Sequence, residues 1–217
     1  MKLTSYKSQL TQLFDKAKAE NVPFAEREYA LPEVIPDDSL LFIGLNPSFT
    51  KKAKKGSHFY PLEQDASGYF AKFPAIAEAC GCKWSHLDLL GLRVTSQKEV
   101  LHAARHHPWF FQEHFDSITH PILAAVRPRA VIVVNAQARK YMGTHRSRKE
   151  SIGLGYEFAW NDDHGTYSLT KGPENLKGVP FFFSGMLTGQ RALDLGSYER
   201  LKWQVEKVVR GECATGG

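Results

Sequence analysis

Cysteine is scarce in this chain of 217 residues: Cys80, Cys82 and Cys213 leave one thiol over in any paired framework and fall short of a four-thiolate zinc or iron–sulfur site. A reducing, cytoplasmic setting is the expectation, beside the nucleoid if the cell is bacterial. Long apolar runs are missing too. The opening MKLTSYKSQLTQLF has no apolar core of the signal-peptide kind, and no run approaches the roughly 18 residues of a membrane span, so a soluble protein without a membrane partner is expected. No Ser-His-Asp spacing marks a nucleophilic triad, and the glycines do not assemble a phosphate loop. His102, His106, His107 and His114 lie near one another, but no carboxylate or cysteine completes a recognised ligand spacing; HAARHHPWFF reads as a helix surface and its end, and no metal is expected.

What is present is enough apolar material for one core and an excess of positive charge. At 42% hydrophobic and 24% charged, the chain fits a single domain over residues 1–210, with 211–217 as a frayed tail. The net charge of +5 and the pI near 9.0 favour an anionic partner such as nucleic acid.

Hydrophobic spacing orders the elements. Tyr6, Leu10, Leu13, Phe14 and Ala17 predict an opening helix over 4–20 with Thr4 or Ser5 as N-cap. SLLFIGL (39–45) predicts a strand buried on both faces, SGYFAKFPAIAEAC (67–80) a helix stopped by Gly81, and HLDLLGL (86–92) a second strand. Residues 109–126 predict helix broken near Pro121, followed by the strand AVIVV (130–134). Within the Gly- and charge-rich stretch 143–178, YEFAW and TYSLT flank NDDHG as an edge hairpin. VPFFF (179–183) is the last strand, and SYERLKWQVEKVVR (197–210) a final helix capped by Ser197. This alternation argues for an α/β fold, a three-layer α/β/α sandwich around a mostly parallel four-stranded sheet.

Sites in open sheets of this kind form where strands end. GLNPSFT leaves the first strand with a glycine that permits close approach, a proline that stiffens the turn, and a carboxamide, Asn46, able to hold a water or read a polar edge. Asn-Pro is also ordinary turn chemistry, in which the amide bonds its own backbone. Lys51, Lys52, Lys54 and Lys55 follow, then the aromatics of HFY; charge interleaved with rings suits a site that grips phosphates and stacks a base. THRSRK (144–149) is either a further phosphate contact or a solvated turn.

Gly44-Leu45-Asn46-Pro47-Ser48 resembles the first motif of the uracil-DNA glycosylase superfamily, nearest to its mismatch-specific uracil and thymine branch. Phe59 or Tyr60 falls where that family stacks an aromatic on the extruded base. VIVVNAQA resembles the family's later strand running into Gly-x-x-Ala, with Asn135 in place of the glycine. GMLTGQR resembles its second motif, with Met186 at the first position, Leu187 for the proline, Thr188 third, and Arg191 one residue early. The likeness spans roughly residues 38–205.

The resemblance implies a monomeric, cofactor-free DNA glycosylase that hydrolyses the N-glycosidic bond of uracil or a related deaminated or mismatched base. Asn46 and Met186 would be catalytic; Gly44, Leu45, Phe59, Tyr60, Asp88 and Asn135 would meet the base. Several branches of the family touch uracil through an asparagine at the exit of the second strand; Gly91 falls near that position here, and Asp88 or Arg93 would take over the task. Ser48, Lys51, Lys52, Thr188, Gly189 and Arg191 would hold double-stranded DNA, and Leu187, with Arg191 and Leu193, would wedge into the gap left by the flipped base. The alternatives are a non-catalytic nucleic-acid-binding member of the same fold and, less favoured by the lysine-rich loop, a hydrolase of free nucleosides or nucleotides.

Overall fold

Short apolar runs form the sheet and spaced apolar residues form the helices in a computed structural model that describes residues 1–49, 56–63, 68–143 and 152–211. A 3-10 turn (Leu3–Tyr6) opens α1 (Lys7–Ala19). There follow β1 (Ala30–Pro32), β2 (Leu40–Gly44), β3 (His58–Tyr60), α2 (Phe73–Ala79), β4 (Trp84–Asp88), α3 (Gln97–His106) and α4 (Pro108–His114). A π turn (Phe115–Thr119) leads into α5 (His120–Ala125), then β5 (Ala130–Val133), α6 (Ala136–Met142), β6 (Glu157–Asn161), β7 (Thr166–Lys171), β8 (Pro180–Phe183) and α7 (Leu195–Val209).

The main sheet runs β4-β2-β5-β8-β7-β6, parallel from β4 to β8 and antiparallel across β7 and β6; β1 and β3 form a separate parallel pair. The fold is therefore mixed α/β, as expected, but the sheet has six strands, not four. The expected edge hairpin adds itself to the parallel sheet through Tyr167 and Ser168, opposite Phe181 and Pro180.

Side-chain alternation decides which helices go where. Leu40, Phe42, Trp84, Ile132 and Phe182 face α2 and α7, while Leu41, Ile43, Leu87, Val131 and Val133 face α1 and α3 to α6. Phe42 stacks on Phe73 of α2 with ring centroids 4.2 Å apart. Crossovers between parallel strands are right-handed. The step from β2 to β4 and the return step from β4 to β5 run in opposite directions and so pass over opposite faces. That reversal opens a crevice beyond the carboxyl ends of β2 and β5, the position where ligands bind in open sheets.

Several local expectations change. Thr4 and Ser5 lie inside the 3-10 turn and cap nothing; the Ser5 hydroxyl donates to the Lys2 carbonyl. The second strand is Trp84–Asp88, because Leu89, Leu90 and Leu92 are buried in the connection beyond it; apolarity there reports burial, not extension. Pro121 does not break the helix: it falls in the first turn of α5, just after the wider π turn, where a missing N–H is tolerated. Asp194, not Ser197, caps α7, accepting from the Ser197 N–H at 2.9 Å and from its hydroxyl at 2.6 Å. The segment directly after β5 is helical, α6 with Asn135 as its N-cap. Of the expected tail over 211–217, Gly211 is a turn residue and 212–217 lie outside the described residues. Among the described residues no helix is long and apolar enough to cross a membrane.

If this two-faced core holds the fold, Phe42→Ala should cost about 3–5 kcal/mol in urea denaturation. Trp203→Ala, at a side chain 58% exposed on α7, should change stability by no more than about 0.5 kcal/mol.

Candidate functional site

The crevice between β2 and β5 holds a cavity of about 440 Å³, within the range of about 300–1,000 Å³ typical of small-molecule sites. Its floor comes from strand ends and the turns after them: Leu45 to Ser48 after β2, Asp88 and Arg93 at and after β4, Asn135 after β5, and Met186 after β8. The short β1–β3 ladder brings in His58 and Tyr60, and the turn before α2 adds Tyr69 and Phe70.

Asn46 is held firmly. The turn after β2 is zipped to the turn after β4: Leu90 N–H donates to the Leu45 carbonyl at 2.9 Å, Val94 N–H to Pro47 at 2.9 Å, and Phe49 N–H to the Thr95 hydroxyl at 3.1 Å. The Asn46 amide Nδ2 donates to the carbonyls of Val94 at 2.6 Å, Pro47 at 3.1 Å and Leu92 at 3.2 Å. Three acceptors around one end of the carboxamide fix that end as nitrogen. Both readings of Asn46 meet here: its donor is spent on main chain, as in an ordinary turn, and Oδ1 is the end left for a ligand or a water.

The second feature is an uncharged acid beside an uncharged imidazole. Trp84, His86 and Asp88 alternate along one face of β4, opposite Leu40, Phe42 and Gly44. That face is apolar at its base and polar at its carboxyl end. Gly44 is required there, since a Cβ would overlap Asp88 Oδ1 and come within 3.1 Å of His86 Nε2. His86 is 1% exposed and Asp88 9%. Their closest approach, His86 Nε2 to Asp88 Oδ1, is 3.6 Å. An ion pair would lower the acid and raise the imidazole; burial does the reverse, pushing Asp88 up to about 8 and His86 down to about 3. His86 Nδ1 lies 3.4 Å from the Tyr60 hydroxyl, and its Nε2 is buried without a hydrogen-bond partner among the described residues. Burial also holds the Tyr60 and Tyr69 phenols in their protonated form, helped by the nearby Asp88 carboxyl. Arg93 is buried as well, donating to the Gly56 carbonyl at 3.0 Å and resting on the Phe49 ring; burial lowers its pKa.

Of the residues expected at the site, Leu45, Asn46, Ser48, Tyr60, Asp88, Asn135 and Met186 share the cavity, and Gly44 clears space beside it. Four expectations are corrected. Phe59 points the other way, against Tyr29 at 5.8 Å, because neighbours on a strand face opposite sides; Tyr60 is the aromatic at the cavity. Asn135 caps α6, its Oδ1 accepting from the N–H groups of Gln137 and Ala138, so only its amide nitrogen is left for a base. Leu187 is 1% exposed, packed in the core against α2 and α7, and cannot enter a base stack without opening that core. The Thr188 hydroxyl donates to the Tyr69 carbonyl at 2.8 Å, which uses the proton a phosphate oxygen would need. Arg191 is exposed in the turn before α7, and Gly189 supplies that turn's positive φ of 89°. Lys51, Lys52, Lys54, Lys55 and the THRSRK stretch lie outside the described residues. The His106–His114 pairing dissolves: His114 Nε2 accepts from the Gly91 N–H, and among the described residues no group of His, Cys, Asp or Glu is arranged to hold a metal ion.

The sequence reading gave no role at the site to His86, nor to Tyr69 and Phe70 in the wall. The available signal was the alternation Trp84, His86, Asp88, which turns from apolar to polar as the strand reaches its carboxyl end.

No protein-family model matches the chain, and no curated protein or solved structure matches it significantly. The resemblance to the uracil-DNA glycosylases is one of short motifs alone.

Two outcomes test this geometry. In the fold Asp88 keeps its proton to about pH 8, whereas at its ordinary value of 3.8 the unfolded chain has released it. The folded state then holds the extra proton between these values, and stability falls as pH rises through that window. Asp88→Asn should gain on the wild type by up to about 1.4 kcal/mol per pH unit between pH 4 and 8, then level off; urea denaturation at stepped pH reads the difference, and a flat difference refutes the neutral acid. Leu187→Ala should cost about 2–5 kcal/mol, as a core truncation does, measured in the same way.

Proposed function

We propose that the chain is a monofunctional DNA glycosylase, hydrolysing the N-glycosidic bond of uracil or a related deaminated or mismatched base flipped from duplex DNA, as a monomer and without metal or organic cofactor. The observation that carries this reading is the joining, at the β2–β5 crevice, of an anchored Asn46 with an aromatic wall of Tyr60, Tyr69 and Phe70. Such walls suit a planar heterocycle, and stacking on an aromatic ring is worth about 1–3 kcal/mol per base.

Breaking the bond builds positive charge on the sugar and negative charge on the base, so a site gains most by placing one water and stabilising both charges. Asn46 Oδ1 accepts a hydrogen bond from that water and aims it at the sugar carbon; its nitrogen, locked on three carbonyls, prevents the amide from turning. A carboxamide takes no proton at neutral pH, so the water must attack a carbon whose bond to the base is already failing. Ser48, small and at the cavity wall, leaves room for a 5-methyl group on the base. With Leu187 in the core, exposed Arg191 and half-buried Leu193 are the expected wedge side chains still able to fill the gap in the stack, while the basic charge of the chain holds the phosphates.

One observation favours the second reading, a non-catalytic nucleic-acid-binding protein: the Asn46 donor is bonded to main chain, as in a purely structural turn. A single assay separates the two. Labelled duplexes carrying uracil, thymine or hypoxanthine opposite each normal base are incubated with the protein, and abasic sites are cleaved with alkali. Strand breaks that fall at least about 100-fold in Asn46→Ala support the enzyme; binding to every duplex with breaks in none supports the binding protein.

A further inference from the structure

Under the glycosylase reading, one requirement has no answer in Asn46 or Met186. A departing base must receive a proton or strong hydrogen bonds, yet a carboxamide has no proton to give at neutral pH and a thioether has none at all. We propose that Asp88 is the general acid of this site, donating its carboxyl proton to the base as the glycosidic bond breaks. This assignment rests on the proposed function and deepens it.

The geometry supports it at three points, and the protonation of the neighbouring groups adds to them. Asp88 sits directly opposite Gly44 in the ladder between β4 and β2, two residues before Asn46 in the neighbouring turn, so acid and water-holder flank one cavity. The missing side chain at Gly44 is what makes room for the carboxyl. The titratable and charged groups lining the same cavity are His58 and Tyr60 on β3, Tyr69 before α2, His86 on β4 and Arg93 beyond it. Arg93 turns its guanidinium to the Gly56 and Arg27 carbonyls, and no ion pair ties it to the acid among the described residues. The phenols hold their protons too tightly, buried His86 is uncharged, and His58 is exposed with its Nδ1 3.4 Å from the Gly56 carbonyl; Asp88 is the buried lining acid with a proton to release near neutral pH.

The step balances. The bond between the sugar carbon and the base nitrogen breaks with its electron pair going to the base, and the carboxyl proton passes to a carbonyl oxygen or ring nitrogen of that base. Water bonds to the sugar carbon, and the proton it loses returns through solvent to the Asp88 carboxylate. Base and hydroxyl-bearing sugar are the net products, with one water consumed. The buried Nε2 of His86 then acquires a purpose. In the tautomer in which the Tyr60 hydroxyl, 3.4 Å from Nδ1, donates there, Nε2 carries the hydrogen and faces the new carboxylate as a neutral donor, 3.6 Å from Oδ1. His86 acts through Asp88 and is a positioning residue.

Single-turnover release of uracil and of 5-fluorouracil, the better leaving group, from duplexes of the full chain's preferred mispair tests this between pH 6 and 10. The wild-type rate should fall about tenfold per pH unit above about pH 8. Asp88→Asn, equal in size, should be slower by at least about 100-fold on uracil, much less so on 5-fluorouracil, and should lose the alkaline fall. Thermal melting of the variant, unchanged or higher at pH 7, excludes misfolding as the cause. A rate that rises through pH 8 would make the carboxylate a base and overturn the assignment. So would a variant that keeps the alkaline fall or that slows equally on both bases. Wild-type protein that releases neither base overturns the glycosylase reading together with this one.

Discussion

Ionising a side chain away from water costs several kcal/mol, and that cost governs the carboxyl end of β4. Asp88, His86 and Tyr60 lie within reach of one another in a place shaped by Phe42, Phe73 and Phe70, with Gly44 as the backbone that lets the acid in. Each group takes its uncharged form, and an acid and an imidazole 3.6 Å apart do not pair as ions. The cavity is thus polar without being charged on that wall, a setting that suits the edge of a neutral heterocycle and, in the reaction proposed above, a proton given up as charge develops on it.

The neighbouring wall follows a different principle, rigidity through main-chain bonding. The turns after β2 and β4 are joined by a run of hydrogen bonds that continues the sheet ladder past its last paired residues, and the Asn46 carboxamide is the cross-piece. One end of that amide is sacrificed to hold the other still. A similar trade occurs at Asn135, whose oxygen caps α6, and at Thr188, whose hydroxyl fastens the turn after β8 to the turn before α2. Three polar side chains expected to touch a ligand spend part of their hydrogen-bonding capacity on the loops that carry them.

Much of the fold could be read along the chain because its signals are local. LLFIG and AVIV are short, apolar and bounded by turn residues, and their burial on both faces is what a central parallel strand requires. Of the helix expected over 67–80, Phe73–Ala79 forms α2 after a 3-10 turn at Gly68–Phe70, and its stop at Gly81, with φ of 63°, follows from backbone freedom. HLDLLGL misled because a buried connection is as apolar as a strand, and Leu187 misled because a motif position says nothing about which way a side chain faces. Phe59 and Tyr60 were indistinguishable as neighbours; only the pairing of His58–Tyr60 with Ala30–Pro32 fixes which ring meets the cavity.

The chain by itself determined the alternation of strands and helices, the glycine, amide and proline at the first strand exit, and the surplus of positive charge, since these depend on neighbours in sequence. Tertiary structure decided the strand order β4-β2-β5-β8-β7-β6, and with it the crevice. It also decided the partnership of His86, Asp88 and Gly44, and the protonation of that acid. Register between strands and the exclusion of water are properties of what packs from elsewhere in the chain, and no local pattern encodes them.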